Sequence, residues 1–271
     1  MNPSRIAETF AGLKGAAFIP FFTAGDPDIG TTAALVQEAG RRGADLIEIG
    51  VPFSDPIADG PVIQASYYRA LEKGFKVAQA FELAQQLRAE GFAKPLVGMV
   101  SETLVYKRGA DAFFAQAKES GYDGLIIPDL PAGYEGDAAA LAQKHGLDLI
   151  FLCAPTTTPE RRELIARRST GFLYYISVTG ITGARAALPP DLEENVRDLQ
   201  RRTKTPVCVG FGISQPAQAA AVAKVAGGAI VGSALVRRVA ELTEQGLRGD
   251  ALVKEVGALV EALADAVHGA R

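Results

Sequence analysis

Eight short apolar runs, each followed by a stretch with helical spacing, constrain this 271-residue chain more than any other feature. They are AAFIPFF from Ala16, ADLIEIG from Ala44, PLVGMV from Pro95, GLIIPD from Gly124, DLIFLCA from Asp148, FLYYISV from Phe172, PVCVGFG from Pro206 and GGAIVGSA from Gly227. The runs are apolar throughout rather than alternating, the pattern of parallel strands covered on both faces. Between them, TTAALVQEAGRRG places Ala34, Leu35, Glu38 and Arg42 at helical spacing and ends on Gly43, a favoured residue just past a helix. DAFFAQAKESG stops at Gly121 and GDAAALAQKHG at Gly146. PERRELIARRS opens with Pro159 behind Thr158, a first-turn proline after an N-cap hydroxyl. A further helix is expected from Ser214 to Gly227, a long amphipathic one at the C-terminus, and an extra one over SRIAETFAGL before the first strand. Eight β-then-α units in succession predict an α/β fold, a closed (β/α)8 TIM barrel with an extra N-terminal helix, rather than an open doubly wound sheet. No Pro/Ser-rich linker divides the chain, so residues 1–271 read as one domain.

Composition narrows the function classes. The formal net charge is -3, from 28 basic and 31 acidic side chains, with no basic block. That balance argues against a nucleic-acid or anionic-membrane binder. No apolar run approaches the ~18–20 residues that span a bilayer, and MNPSRIAETFAGLKG lacks the apolar stretch of a signal peptide. The only cysteines, Cys153 and Cys208, lie inside apolar runs and read as buried thiols of a cytoplasmic protein.

Two connections are long: VPFSDPIADGPVIQASYYRALEKG after the second run and TGITGARAALPPD after the sixth. In a barrel both lie at the C-terminal face, where active sites sit, and glycine-containing loops there are candidate lids. The seventh unit ends GFGIS (210–214) and the eighth GSALVRR (232–238). Loops after strands seven and eight are the common phosphate site of barrel enzymes, because glycine lets backbone N–H groups approach an anion and a helix N-terminus adds unpaired donors. Gly212, Gly232 and Ser233 are therefore candidate phosphate ligands, with Gly183 of the sixth connection closing over them. The bland alternative is that these glycines merely make tight turns.

Glu48 stands inside an otherwise apolar strand, where a charge is expensive unless partnered or used. Asp55 and Asp59 follow in SDPIADG and Asp129 closes the fourth run; ordinary turn chemistry also explains an aspartate beside Pro or Gly. One of Tyr174 and Tyr175 should face the interior and the other the helices. No run carries the lysine of a Schiff-base aldolase. His145 and His268, the only histidines, lie in helical segments and suit neither a zinc aldolase nor a catalytic triad. What remains is carboxylate acid–base chemistry beside a phosphate handle. A magnesium site from Asp55, Asp59 and Asp129 stays open.

LIEIGVPFSDPIADGPVIQ closely resembles the signature of the tryptophan synthase alpha chain family. FIPFFTAGDPD, IIPDLP, YYISVTGITGAR, PVCVGFGIS and AIVGSALV follow in that family's order, so the resemblance covers nearly the whole chain. It implies a (β/α)8 barrel that cleaves indole-3-glycerol phosphate to indole and glyceraldehyde 3-phosphate. It also implies an α2β2 assembly with a beta chain that uses pyridoxal phosphate to condense indole with serine; no cofactor is implied in this chain. By the same resemblance the catalytic glutamate falls on Glu48 and the catalytic aspartate on Asp59. The active-site tyrosine falls on Tyr174 and the lid threonine on Thr182. The phosphate ligands fall on Gly183, Gly212, Gly232 and Ser233, with Phe211 nearby. The apolar walls fall on Phe21 and Ile126, and a residue communicating with the beta chain falls on Asp55.

The chain departs from the family at Ser101, Glu102 and Thr103, where many relatives carry a Tyr-Asn-Pro-type sequence in a region that helps form the beta-chain contact, and at PAGYEGD after the fourth run. Three alternatives stand beside this reading. Another phosphate-binding barrel enzyme would want, for example, a lysine at a strand end. A non-catalytic barrel would be expected to have lost some of Glu48, Asp59 and Thr182. An open flavodoxin-like sheet would lack the eighth strand.

Overall fold

The computed structural model of the chain describes residues 4–176, 189–210 and 212–270. Its parallel strands are β1 (Ala17–Thr23), β2 (Ile47–Gly50), β3 (Leu96–Met99), β4 (Gly124–Ile126), β5 (Asp148–Ile150), β6 (Leu152–Cys153), β7 (Leu173–Ile176), β8 (Val207–Gly210) and β9 (Gly228–Val231). They form one sheet in the order β5-β4-β3-β2-β1-β9-β8-β7-β6. The two ends of that order are consecutive pieces of chain separated only by Phe151, so the sheet closes on itself into a TIM-type barrel. The fifth apolar run makes two strand pieces because its pairing changes at Phe151. β5 pairs with β4 and β6 with β7, while the Phe151 N–H donates to Ser169 Oγ at 3.3 Å and its carbonyl accepts from Tyr174 N–H at 3.1 Å.

Alternation along each strand sorts the side chains into two layers. Ile19, Leu46, Val97, Ile150, Phe172, Cys208 and Ile230 fill the barrel interior. Their neighbours Phe18, Ile47, Ile49, Leu149, Leu173, Tyr175 and Val209 face the helices. Removing each large side chain from water contributes about 1.5–3 kcal/mol.

The helices are α1 (Arg5–Gly12), α2 (Ile29–Arg41), α3 (Pro61–Glu72), α4 (Val77–Ala89), α5 (Glu102–Arg108), α6 (Ala110–Ser120), α7 (Ala138–His145), α8 (Pro159–Arg168), α9 (Leu192–Arg202), α10 (Pro216–Ala223), α11 (Ser233–Glu244) and α12 (Gly249–His268). The extra helix α1 plugs the floor of the barrel. Ile6 is fully buried among the interior residues and the Phe10 ring lies 6.2 Å from Phe172. Ser4 caps the helix at Ala7 N–H and donates to Asp148 at 2.5 Å, and Arg5 pairs with Asp123 at 2.7 Å. The far end of α12 is pinned by His268, whose Nε2 lies 2.8 Å from Asp45.

Two boundaries differ from the sequence reading. The long connection after β2 contains a helix of its own, α3, started by Pro61 at its first turn and anchored by Ile63, Tyr67 and Ala70 at helical spacing. α10 begins at Pro216 rather than Ser214, because the Gln218 side chain accepts the N–H groups of Ser214 and Gln215 at 2.8 and 3.0 Å and holds those two residues outside the helix. The expected Thr158 N-cap is present, accepting from Arg161 N–H.

Candidate active site

A cavity opens at the C-terminal ends of the strands. Its walls include Phe21, Glu48, Asp59, Met99, Tyr174, Gly212, Gly232 and Ser233. Strand register decides how Glu48 reaches it. Glu48 is level with Phe21 on β1 and Val97 on β3, and two residues above interior Leu46 it points to the same inner face. It is fully excluded from solvent. Neither carboxyl oxygen has a hydrogen-bond partner among the described residues. With nothing to compensate the lost hydration, burial pushes its pKa up to about 8. That shift favours the protonated, neutral form of Glu48 at neutral pH.

Asp59 arrives from the loop between β2 and α3. Gln64 of α3 ties that loop down by donating to the carbonyls of Asp59 (2.8 Å) and Pro56 (3.2 Å). Burial, and secondarily the charge of Asp129, raise its pKa to about 7. Asp129 is held by Ser101 Oγ at 2.7 Å and by Glu102 N–H at 2.8 Å. The unusual Ser101-Glu102-Thr103 segment therefore has a structural job: Ser101 caps α5, accepting from Thr103 N–H, and fixes the aspartate that faces Asp59. Burial and the neighbouring Glu48 and Asp59 charges hold the Tyr174 hydroxyl well above its ordinary pKa, so it stays a donor. Tyr175 faces outward and is buried against the helices, dividing the tyrosine pair as expected.

The two glycine turns converge on the same cavity. Gly212 has φ +82°, a conformation open to glycine at little cost. Gly232 is the N-cap of α11 and Ser233 its first residue, so the unpaired N–H groups of that helix start lie at the cavity wall.

The other expected residues divide. Phe21 lines the cavity. Ile126 is fully buried in the barrel interior and does not line it; Pro128, two residues on, does. Asp55 is exposed, accepts from Ser54 Oγ at 2.6 Å, and borders a smaller adjoining cavity together with Asp59, Tyr67 and Asp129. Thr182, Gly183 and Phe211 lie outside the described residues. Among the described residues no group of three or more His, Cys, Asp or Glu side chains is placed to hold a metal ion, and none of the cavity-lining residues is a lysine. Cys153 and Cys208 are buried free thiols. No helix among the described residues is long and apolar enough to cross a membrane.

Sequence reasoning missed Ile63, Met99, Leu152 and Arg237, which also line the cavity. The signal for Arg237 was present in GSALVRR, four residues past Ser233 and hence on the same helix face.

The family model described as tryptophan synthase alpha chain matches residues 9–268. A tryptophan synthase alpha chain from Rhodopirellula baltica is 50% identical over 240 residues, 88% of this chain and 86% of that protein. One from a Geobacter species is 43% identical over 267 residues, 97% of this chain and 98% of that protein. The crystal structure of tryptophan synthase subunit alpha from Legionella pneumophila superposes with a TM-score of 0.90 at 36% identity, covering 98% of this chain and 99% of that one.

Proposed function

Because the chain belongs to the tryptophan synthase alpha chain family, we propose that Glu48 and Asp59 carry its reaction on a substrate held by the turns at Gly212 and Gly232–Ser233. That reaction is the cleavage of indole-3-glycerol phosphate to indole and D-glyceraldehyde 3-phosphate, which makes the chain a lyase. The observation that carries the assignment is a fully buried glutamic acid without a hydrogen-bond partner among the described residues, in one cavity with Asp59 and the start of α11.

The chemistry follows from the protonation states. Glu48, neutral at pH 7, delivers its proton to indole C3, which converts the ring into an iminium-like electron acceptor. Ionised Asp59 faces the indole N–H and stabilises that cation. Glu48, now a carboxylate, takes the proton of the adjacent glycerol hydroxyl. The C–C bond then breaks, its electron pair returns to the indole ring, and the aldehyde leaves. Glu48 ends as it began, so the cycle balances within the active site. The substrate supplies its own electron sink, which is why a lysine is not required. Tyr174 donates beside the carboxylates and Phe21 forms an apolar wall. By likeness to the family, the lid threonine is assigned to Thr182, and Gly183 and Phe211 are assigned to the phosphate site.

We further propose that the barrel works as one domain in the cytoplasm, in an α2β2 assembly with a beta chain that carries pyridoxal phosphate and takes the indole on to serine, with Asp55 in the communicating loop. Three exposed side chains support a partner on this face. Ile57, Tyr106 and Tyr134 are 88%, 83% and 73% exposed. They follow β2, β3 and β4, which are neighbours in the sheet, so they share one side of the C-terminal rim.

The test is indole release from indole-3-glycerol phosphate by the chain alone and with its beta partner. Release that rises with beta supports both parts, and release indifferent to beta removes the partnership. Glu48→Gln and Asp59→Asn should each lose most turnover while still binding glycerol phosphate. Near-normal turnover in either removes that residue from the mechanism.

A further inference from the structure

We infer that Arg237 is a binding residue for the substrate phosphate, supplying a fixed positive charge at the start of α11. The inference rests on the phosphate assignment of Gly232 and Ser233. It goes beyond that assignment, which invokes only neutral donors.

Four observations converge. Arg237 lines the cavity and is the only basic side chain among its described lining residues. It lies one turn after Ser233 on α11, at the i+4 position, so the two share a face. Long side chains on a helix lean back toward its N-terminus, which carries the guanidinium toward the N–H groups at Gly232 and Ser233. It is partly buried, and no ion pair or hydrogen bond occupies it among the described residues, whereas the adjacent Arg238 is committed to Glu255 at 3.2 Å.

An uncommitted arginine is a conspicuous feature in this site. Glu48 and Asp59, the carboxyl side chains among the cavity's described lining residues, stand on the β2 side of β1, whereas α11 follows β9 on the opposite side of β1. A phosphate monoester brings roughly 1.5 to 2 negative charges at pH 7. Helix N–H donors complement about half a charge, so a dianion seated there still lacks a counter-charge. A guanidinium provides it, with a planar fork that matches two phosphate oxygens. Its partial exposure lets it also attract the anionic substrate from solvent.

The test compares Arg237→Gln, Arg237→Lys and Ser233→Ala with the unsubstituted chain. Binding of glycerol 3-phosphate is measured by calorimetry, and kcat and KM for indole-3-glycerol phosphate at two ionic strengths. We expect Arg237→Gln to weaken glycerol 3-phosphate binding and raise KM on the order of tenfold, with kcat falling far less than kcat/KM. Its KM should respond less to salt than that of the unsubstituted chain. Arg237→Lys should recover part of the loss, because it keeps the charge and loses the fork. Equal affinity and equal salt response in Arg237→Gln, alongside a loss in Ser233→Ala, would overturn the role of Arg237 and leave the phosphate site standing. No effect of either Ser233→Ala or Arg237→Gln would overturn both.

Discussion

The ring of Tyr174 occupies the space that a side chain at position 210 would need: a Cβ placed on Gly210 would sit 2.6 Å from Tyr174 Cζ. The two residues lie on adjacent strands, where Tyr174 pairs with Cys208 and Gly210 with Ile176. The glycine leaves open the space into which Tyr174 leans. Gly210→Ala should displace the tyrosine, cost about 1–3 kcal/mol of stability from overpacking, and lower kcat/KM more than a helix-face alanine substitution of equal stability cost. Melting curves and steady-state kinetics on the same preparation check both. An unchanged kcat/KM would separate Tyr174 from turnover.

Glu48 makes stability depend on pH. Its folded pKa is raised to about 8 from an ordinary 4.5, so between those values the folded chain binds more protons than the unfolded one. Stability therefore falls as pH rises through that window and levels off above about 8. Glu48→Gln removes the term. Its melting temperature should gain on the native chain steadily from pH 5 to pH 8, and a gap that stays constant with pH would show that the carboxyl ionises at its ordinary value.

The same two carboxyls shape the rate profile. Asp59 must be ionised and Glu48 protonated, so kcat/KM should rise through an apparent pKa near 7 and fall through one near 8, a narrow bell belonging to the pair. Asp129→Asn removes the secondary cause of the Asp59 shift and should move the acid limb to lower pH, while burial, the larger cause, keeps it above the ordinary aspartate value. An acid limb that does not move would assign it to another group.

Ser233 offers its hydroxyl and its N–H at the start of α11. Ser233→Ala should raise KM about tenfold, the effect of one charge-assisted hydrogen bond, with kcat little changed. Steady-state kinetics with indole-3-glycerol phosphate decide it: an unchanged KM would take the hydroxyl out of the phosphate site.

Much of this molecule could be read from its residues in order. Glu48 could be singled out because a carboxylate in an apolar strand is costly unless ion-paired or used, and Gly212, Gly232 and Ser233 because barrel topology assigns their loops. α3 was harder to see, since Pro61 begins it directly behind a loop of turn residues. Arg237 does not stand out in the sequence, because an arginine on an amphipathic helix ordinarily reads as solvated surface. Thr182 and Phe211 are assignments by resemblance, and Gly183 rests on the resemblance together with its place in the sixth connection.

The barrel is legible in the order of the residues. Parallel strands buried on both faces need continuous apolar runs, and eight of them, each followed by a helix, favour a closed barrel over an open sheet. The chemistry available at each carboxyl is set instead by how the chain packs around it. Whether Glu48 is an acid or a base at neutral pH depends on how completely its neighbours strip it of water. The shift of Asp59 comes first from its burial and second from Asp129, seventy residues away in sequence and tethered by Ser101 and Glu102. A pKa is set by what surrounds a group in space, and no spacing along the chain encodes that directly.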